Sequence, residues 1–340
     1  MTVTRTCSQK ASPEGPCLPA PAGGTLRRVV RAAALAALTA SALALSGASA
    51  HALRLPQAPR CPIFPATSAW NQRVDSLPVA ANSAQLVASI GLDAPVHADF
   101  GSGLWDGGPI GIPFDVVTRT TPRSHVAFGY ADESDKGPYP IPRTVHVEGG
   151  RDSTGDRHAI LVDRDACRLY ELYDLQGGPG HRRAGSGAIW SLRSNHLRPA
   201  GWTSADAAGL PIFPGLARFD EVRRGAIDHA LRFTAPRTRR AFVYPARHFA
   251  SDSTDPSLPP MGLRVRLKAS VDIASFPPQA RVVLVALKRY GMILADNGSP
   301  WFVSGAPDPR WSNDQLHTLS RLHGSDFEVV DTSSLPEPGR

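Results

Sequence analysis

Cysteine is scarce in this sequence, which limits the covalent and metal chemistry that the chain can support. Only four cysteines occur in 340 residues, and two of them, Cys7 and Cys17, lie within the first 50. The remaining pair, Cys61 and Cys167, is too small a set to form a structural zinc site. In an exported protein such a pair favours one disulfide, and two separate buried thiols are the alternative.

Long apolar runs are also missing. The nearest approach is residues 32–45, a run rich in Ala and Leu that follows three arginines and precedes Ala48-Ser49-Ala50. This run is shorter than the roughly 20 residues that span a bilayer, and its flanks are typical of a secretory signal peptide. We therefore predict export to the periplasm or the medium, cleavage after Ala50 or Ala52, and no stable membrane insertion.

Concentrated positive charge is rare in the sequence, where basic residues are scattered apart from Arg237–Arg240 and His181–Arg183, although the formal net charge is +7. Residues 1–50 hold five of the 37 Lys and Arg and one of the 30 Asp and Glu, so the rest of the chain is nearly neutral. Proteins that recognise nucleic acids carry a basic stripe or a known motif, and neither occurs here. We predict no nucleic-acid partner, and we expect a monomer.

Several catalytic motifs are absent as well. The HExxH zinc motif, the GxSxG elbow, the P-loop and the EF-hand loop do not occur in the sequence. The sequence therefore predicts no metal and no cofactor, and no nucleophile motif supports an esterase or a peptidase.

The chain contains many short stretches of alternating apolar and polar residues, separated by Gly- and Pro-rich turns. This pattern predicts a β-rich fold, all-β or α+β, with sandwich or barrel-like sheets and two or three packed helices. The longest predicted helix covers residues 278–290, and residues 313–322 predict another. Residues 292–295 and 301–303 predict a hairpin around an Asp-Asn-Gly turn.

The composition also predicts the order of the parts. We expect a leader at residues 1–50, an extended Pro-rich arm at 51–78, one β-rich catalytic or binding domain at 79–332, and a disordered tail at 333–340.

A chemically suggestive pattern lies at residues 158–173. Two apolar runs flank a polar turn at residues 163–166, which predicts a β-hairpin. A symmetric turn would place Val162 opposite Cys167, Ile160 opposite Leu169, and His158 opposite Glu171, all on one face of the sheet.

Glu148 extends this pattern if residues 144–148 form the next strand, because it would then flank His158 on the other side. The result would be a Glu148–His158–Glu171 row, which suits general acid/base chemistry. The alternative is a His–Glu pair that only stabilises the hairpin.

Other polar and aromatic residues suggest a sugar substrate, because glycoside hydrolysis needs separated carboxylates and an aromatic stacking surface. Arg157 is a candidate clamp for a substrate carboxylate. The further catalytic candidates are Asp156, Asp206, Asp228 and His229, and the further binding candidates are Trp105, Trp202, Arg247, His248 and Trp301. We interpret Asp296 and Asp308 as turn formers.

Much of the sequence from Cys61 to Thr332 resembles a family of exported bacterial and fungal proteins that has no assigned activity. The stretches that carry the resemblance are residues 97–101, 131–142, 153–174, 197–216, 259–270, 276–299 and 304–311. The resemblance implies one integrated domain and export, and it transfers no activity to any residue.

Our hypothesis from the sequence is a secreted enzyme that cleaves a polysaccharide by acid/base hydrolysis or β-elimination. The alternative is a non-catalytic glycan-binding protein of the cell surface or medium. In both cases we predict a polysaccharide or oligosaccharide as the partner.

Overall fold

The computed structural model describes residues 53–337, and the predicted signal peptide, its cleavage positions, Cys7 and Cys17 lie outside this part. The described residues belong to one compact unit. Their helices are α1 (Ser83–Ile90), α2 (Phe219–Arg224), α3 (Pro278–Arg289) and α4 (Asn313–His317). None of these helices combines the length and the hydropathy that a membrane span requires.

Strands dominate the regular structure, in agreement with the predicted β-rich fold. In chain order they are β1 (His97–Asp99), β2 (Leu104–Trp105), β3 (Gly108–Pro109), β4 (Phe114–Val117), β5 (Arg123–Ser124), β6 (Ala127–Phe128), β7 (Tyr139–Pro140), β8 (Ala159–Asp163), β9 (Arg168–Tyr173), β10 (Arg183–Ala184), β11 (Ser186–Ser191), β12 (Leu231–Ala235), β13 (Arg264–Leu267), β14 (Met292–Asn297), β15 (Phe302–Ser304) and β16 (Phe327–Val329). The fold is α+β with mixed sheets, and no sheet within residues 53–337 closes into a barrel.

The larger sheet has six strands in the order β1-β15-β12-β14-β13-β16. Helix α3 packs on this sheet through its buried face, which includes Val283, Leu284 and Leu287. The helix begins at Pro278, whose missing N–H costs nothing in the first turn, and Gly291 follows it with a φ of 64°. The start and stop signals in the sequence therefore predict this helix to within one residue.

The predicted hairpin between residues 292 and 303 is wrong, because β12 lies between β14 and β15. The connecting segment passes over the end of β12, where Gly298 N donates to Ala235 O and Trp301 N donates to Thr234 O. β12 pairs in parallel with β14 and meets β15 at Phe233. Since Phe233 is fully buried, the central position of β12 follows from its apolar side chains.

The smaller sheet has four strands in the order β11-β9-β8-β4. The predicted hairpin is present as β8 and β9, but its register differs by two residues, since Ile160 pairs with Glu171 and Val162 with Leu169. The turn explains the shift: Asp163 accepts hydrogen bonds from two backbone N–H groups within it, and Cys167 has a φ of 49°. Cys167 therefore belongs to the turn and does not face Val162.

Two arginines of β13 hold the Pro-rich arm. Arg264 donates to the carbonyl oxygens of Ala69 and Gln72. Arg266 donates to the carbonyl oxygens of Val74 and Leu77. These contacts order an arm that has little regular structure of its own.

Cys61 and Cys167 form the predicted disulfide, with a Cα–Cα distance of 5.1 Å and a sequence separation of 106 residues. It joins the arm to the β8–β9 turn. Both residues are 1% exposed.

We predict that replacing both cysteines with serine lowers the free energy of unfolding by about 4 kcal/mol, because a bridge over a loop of this length restricts the unfolded chain. Urea denaturation of the oxidised protein and of the C61S/C167S variant measures the difference. Equal midpoints and slopes for the two proteins would contradict the prediction.

Candidate functional site

A buried arginine of the six-stranded sheet forms the first charged group of the site. Arg232 lies on β12, and its Nε and Nη2 donate to the two carboxylate oxygens of Asp206 at 3.0 and 2.9 Å. Nη2 also donates to Asp296 at 3.1 Å, and Nη1 donates to Ser304 Oγ at 2.8 Å. The guanidinium is thus fully engaged by β14, β15 and the loop that carries Asp206.

His158 and Glu148 form the second charged pair of the site. His158 Nδ1 lies 2.5 Å from Glu148 Oε2, and Nε2 lies 2.9 Å from the carbonyl oxygen of Ala205. Desolvation disfavours the imidazolium, but the Glu148 carboxylate outweighs it and raises the pKa of His158 to about 9. His158 is therefore protonated at neutral pH, and both of its N–H groups are donated within the protein.

The backbone explains how Glu148 reaches His158. Residues 144–148 do not form the predicted strand, but Glu148 N donates to His158 O at 3.0 Å, next to the start of β8. Desolvation disfavours ionisation of Glu148, yet His158 and Arg232 outweigh it and hold the pKa of this carboxyl below its ordinary value. The Glu148 side chain keeps 27% of its surface exposed.

Asp296 is the second carboxylate that is both engaged and accessible. It follows the four buried residues at the start of β14, and 24% of its side chain is exposed. Desolvation raises its pKa to about 6, since the attraction of Arg232 is opposed by burial and by the Asp206 carboxylate. Glu148 and Asp296 thus have pKa values shifted in opposite directions, as in a pair with one acid and one base role.

Glu171 is close to this site but does not join the predicted row. It is fully buried, and its two carboxylate oxygens accept hydrogen bonds from the backbone N–H groups of Ile212 and Phe213, each at 2.8 Å. Desolvation raises its pKa to about 8. The contacts of Glu171 hold the loop of residues 197–216 against β9, and no substrate can reach it.

Asp206 and Asp156 occupy opposite environments. Asp206 is fully buried in its ion pair with Arg232, so we assign it a positioning role. Asp156 is exposed, and its carboxylate lies within 4.8 Å of ligand atoms of Glu148 and His158. These three are the described residues that could surround a metal ion, although His158 Nδ1 would first have to release its proton.

The remaining candidates lie in structural contacts. Arg157 donates to backbone carbonyl oxygens of Leu175, Arg151 and Ser153, so its guanidinium fastens a loop. His229 is fully buried against Glu221, and Asp228 pairs with Arg224 on the surface.

The aromatic candidates differ strongly in exposure. Trp301 is fully buried and donates to Gly91 O, so it presents no surface to a glycan. Trp202 is partly buried under the Arg198 guanidinium, 5.5 Å from its ring. Trp105 is 77% exposed at the tip of the β2–β3 hairpin.

Arg247 and His248, which we predicted as binding residues, contact the backbone of the loops that they support. Arg247 Nε donates to Arg198 O at 2.9 Å, and His248 Nδ1 lies 2.8 Å from Ala207 O. Both residues stay partly exposed.

Sequence reasoning missed three residues of the site: Arg232, Asp296 and Tyr173. Asp296 was interpreted as a turn former because Asn-Gly follows it, and Arg232 stands alone in an apolar strand. That isolation was a usable signal, because an arginine between buried residues needs hydrogen-bonding partners such as a carboxylate. Tyr173 lies at the end of β9, and its ring centroid is 5.7 Å from that of His158.

A separate cavity lies away from these residues. It is partly open to solvent, and its lining includes Phe64, Trp70, Trp190 and Tyr244. No carboxylate lines it, so it offers no acid/base pair.

The His158 pair generates a prediction for stability. The folded protein favours the imidazolium, so this stabilisation is complete below the ordinary pKa of 6.5 and is lost as the pH rises through about 9. We expect the free energy of unfolding to fall by up to about 3 kcal/mol over this range.

Urea denaturation at pH 6 and pH 9 measures the loss. Glu171 also lowers the free energy of unfolding as the pH rises, between its ordinary pKa of 4.5 and its raised pKa of about 8, because burial favours the neutral carboxyl. In the His158→Gln variant the free energy of unfolding should therefore fall less between pH 6 and pH 9, and the remaining decrease should come from Glu171. An unchanged dependence in this variant would refute the assignment to His158.

Comparisons with known proteins do not assign the site. No family model matches the chain, and no curated protein and no solved structure matches it. The function must therefore be inferred from the contacts of the site itself.

Proposed function

We propose that the protein is an exported carbohydrate-active enzyme that hydrolyses a polysaccharide, with Asp296 as the general acid and Glu148 as the ionised partner. One observation carries this proposal: two partly exposed carboxylates, Asp296 bound to Arg232 and Glu148 bound to His158, have pKa values shifted in opposite directions. Glycoside hydrolysis uses such a pair.

The proposed roles follow from the charges of the neighbours. Asp296 keeps its proton to about pH 6 and donates it to the glycosidic oxygen of the leaving group. Glu148 stays ionised and either activates a water molecule or attacks the sugar carbon. His158 is a positioning residue, since it holds one oxygen of Glu148 and leaves the rest of the carboxylate accessible.

The contacts favour hydrolysis over β-elimination of a uronate. Elimination would need a free base and a free cation near the substrate carboxylate. The ring nitrogens of His158 are both engaged, Arg157 donates from Nε and Nη1 to backbone carbonyl oxygens, and Arg232 is buried in its ion pairs. Glu148 and Asp296 are both partly exposed, and Asp156 is exposed beside Glu148.

Export is part of the proposal and has separate support. The buried Cys61–Cys167 disulfide fits an oxidising compartment, where such bonds persist. The signal-peptide pattern and the resemblance to an exported family point in the same direction.

We predict a bell-shaped pH dependence of kcat. Activity should fall as the pH rises through about 6, because Asp296 loses its proton, and it should fall again in acid as Glu148 becomes protonated. Release of reducing ends from a polysaccharide panel, followed from pH 3 to pH 8, measures this profile.

The Asp296→Asn and Glu148→Gln variants should each lower kcat by about 100-fold or more. The matched control is Asp308→Asn, which makes the same change at a carboxylate paired with Arg310. The control should keep the wild-type kcat. A wild-type kcat in Asp296→Asn would refute the assignment of the acid. Unsaturated products that absorb near 235 nm would show elimination instead.

A glycan-binding protein without catalysis is the second candidate, and the hairpin of Trp105 favours it. Trp105 and Leu104 are 77% and 70% exposed, and the hairpin packs directly on the turn that follows Glu148, where a Cβ on Gly108 would meet the Gly149 backbone. An exposed indole on a rigid support is a typical sugar platform.

We predict that Trp105→Ala weakens glycan binding about tenfold, because a stacking surface of this size contributes on the order of 1 kcal/mol or more. Isothermal titration with the oligosaccharide that binds best gives the affinity, and Tyr130→Ala, at another exposed aromatic residue, is the control. Binding that depends on Trp105, without turnover of any polysaccharide, would favour the second candidate.

A further inference from the structure

The cavity that lies away from the charged residues is apolar and partly open to solvent. Its lining comes from the Pro-rich arm, from β11 and from three loops: Phe64, residues 68–70, Trp190, residues 195–197, residues 210–211 and residues 244–245. None of these described lining residues is Asp, Glu, Lys or Arg. A concave apolar site with a few polar groups is the usual form of a binding site for a neutral ligand.

Two indole N–H groups at this cavity have no acceptor in the protein. Trp70 and Trp190 are 3% and 6% exposed, yet neither Nε1 makes a hydrogen bond within residues 53–337. Neither nitrogen is completely sealed from solvent. Because buried indole N–H groups normally find a partner, these two donors are free to bind a ligand.

A hydroxyl and an amide oxygen add two further unpaired groups. Ser68 is 7% exposed, and its Oγ makes no hydrogen bond in the described part of the chain. Asn195 donates from Nδ2 to Thr67 Oγ1 at 2.8 Å, and its Oδ1 is buried without a donor. A buried oxygen without a donor carries a desolvation cost, which an N–H group of a ligand would remove.

Contacts outside the cavity hold the two indoles in place. The Arg198 guanidinium lies 5.8 Å from the Trp190 ring and is itself fixed by three hydrogen bonds. The Trp70 ring packs so closely on Gly215 that a Cβ there would lie 2.6 Å from it. The donors are therefore preorganised, which lowers the entropic cost of binding.

We propose that this cavity binds the N-acetyl group of an amino-sugar glycan. An acetamido group offers a carbonyl acceptor for the indole N–H groups, an N–H donor for Asn195 Oδ1 and a methyl group for the aromatic walls. The partly exposed ring of Tyr244 provides an apolar face for the attached pyranose ring.

The chemistry of the lining excludes the related sugars. A hydroxyl group in place of the acetamido group would leave the apolar walls unfilled, and an ammonium group would meet no carboxylate among the described lining residues. The cavity is separate from Glu148 and Asp296, so this inference does not depend on the proposed hydrolysis.

NMR titration of the indole N–H signals tests the proposal directly, because the chain has six tryptophans. The ligands are β-1,4-linked tetramers of N-acetylglucosamine, glucose and glucosamine, added to the ¹⁵N-labelled Glu148→Gln protein so that no turnover occurs. We expect the two signals assigned by Trp70→Phe and Trp190→Phe to move with the N-acetylated tetramer. Its Kd should be about tenfold or more below those of the other two tetramers.

Asn195→Ala should weaken binding of the N-acetylated tetramer about fivefold or more, and Trp190→Phe should do the same because it keeps a ring but removes the N–H. Trp202→Phe is the matched control, since Trp202 also lacks a hydrogen bond at Nε1 within the described residues but does not line the cavity. Asn195 is partly exposed on a loop, so its variant reports on the cavity even where an indole variant does not fold.

Equal binding of the glucose or glucosamine tetramer would overturn the inference, as would unmoved Trp70 and Trp190 signals or an equal effect of Trp202→Phe. Equal binding of an N-acetylated alanine tripeptide would overturn it in favour of a peptide ligand. Hydrolysis of a polysaccharide without a response of these two signals would keep the proposed function and refute this inference. Binding at the cavity without hydrolysis of any glycan would support this inference and refute the hydrolase.

Discussion

The buried guanidinium of Arg232 is the constraint on which the central part of the structure depends. A buried cation is tolerable only when it is paired or hydrogen-bonded, and removing one partner of a buried ion pair typically costs about 3–5 kcal/mol. Arg232 donates two hydrogen bonds to Asp206 on an irregular loop, one to Asp296 on β14 and one to Ser304 on β15. The loop of Asp206 and the strands β14 and β15 are therefore fixed relative to one charge on β12.

The same constraint explains the electrostatic asymmetry of the site. Arg232 lowers the pKa of Glu148 and opposes the effect of burial on Asp296. His158 acts on Glu148 at closer range, and the Ala205 carbonyl fixes the other side of its ring. The neighbours of these two carboxylates thus shift their pKa values in opposite directions.

The sequence predicts those features that depend on local chemistry. Pro278 and Gly291 bound α3, and the alternation around Asp163 identifies the β8–β9 hairpin. The long-range features could not be predicted in this way. Nothing between Met292 and Val303 indicates that β12 separates the two strands, and no spacing connects Arg232 with Asp206 or Asp296. The predicted contact between His158 and Glu148 is present, although residues 144–148 do not form the predicted strand. A single backbone hydrogen bond, from Glu148 N to His158 O, brings the two residues together instead.

The order of the six-stranded sheet has a consequence for how the chain folds. β1 pairs with β15 from the opposite end of the described chain, and β12 pairs with β14 across helix α3. Such pairings require the closure of long loops before any contact forms, which makes folding slow compared with folding through local hairpins. β15, the strand that pairs with β1, and the edge strand β16 follow all the other strands of this sheet in the chain. During synthesis the six-stranded sheet is therefore incomplete until the ribosome has passed β16.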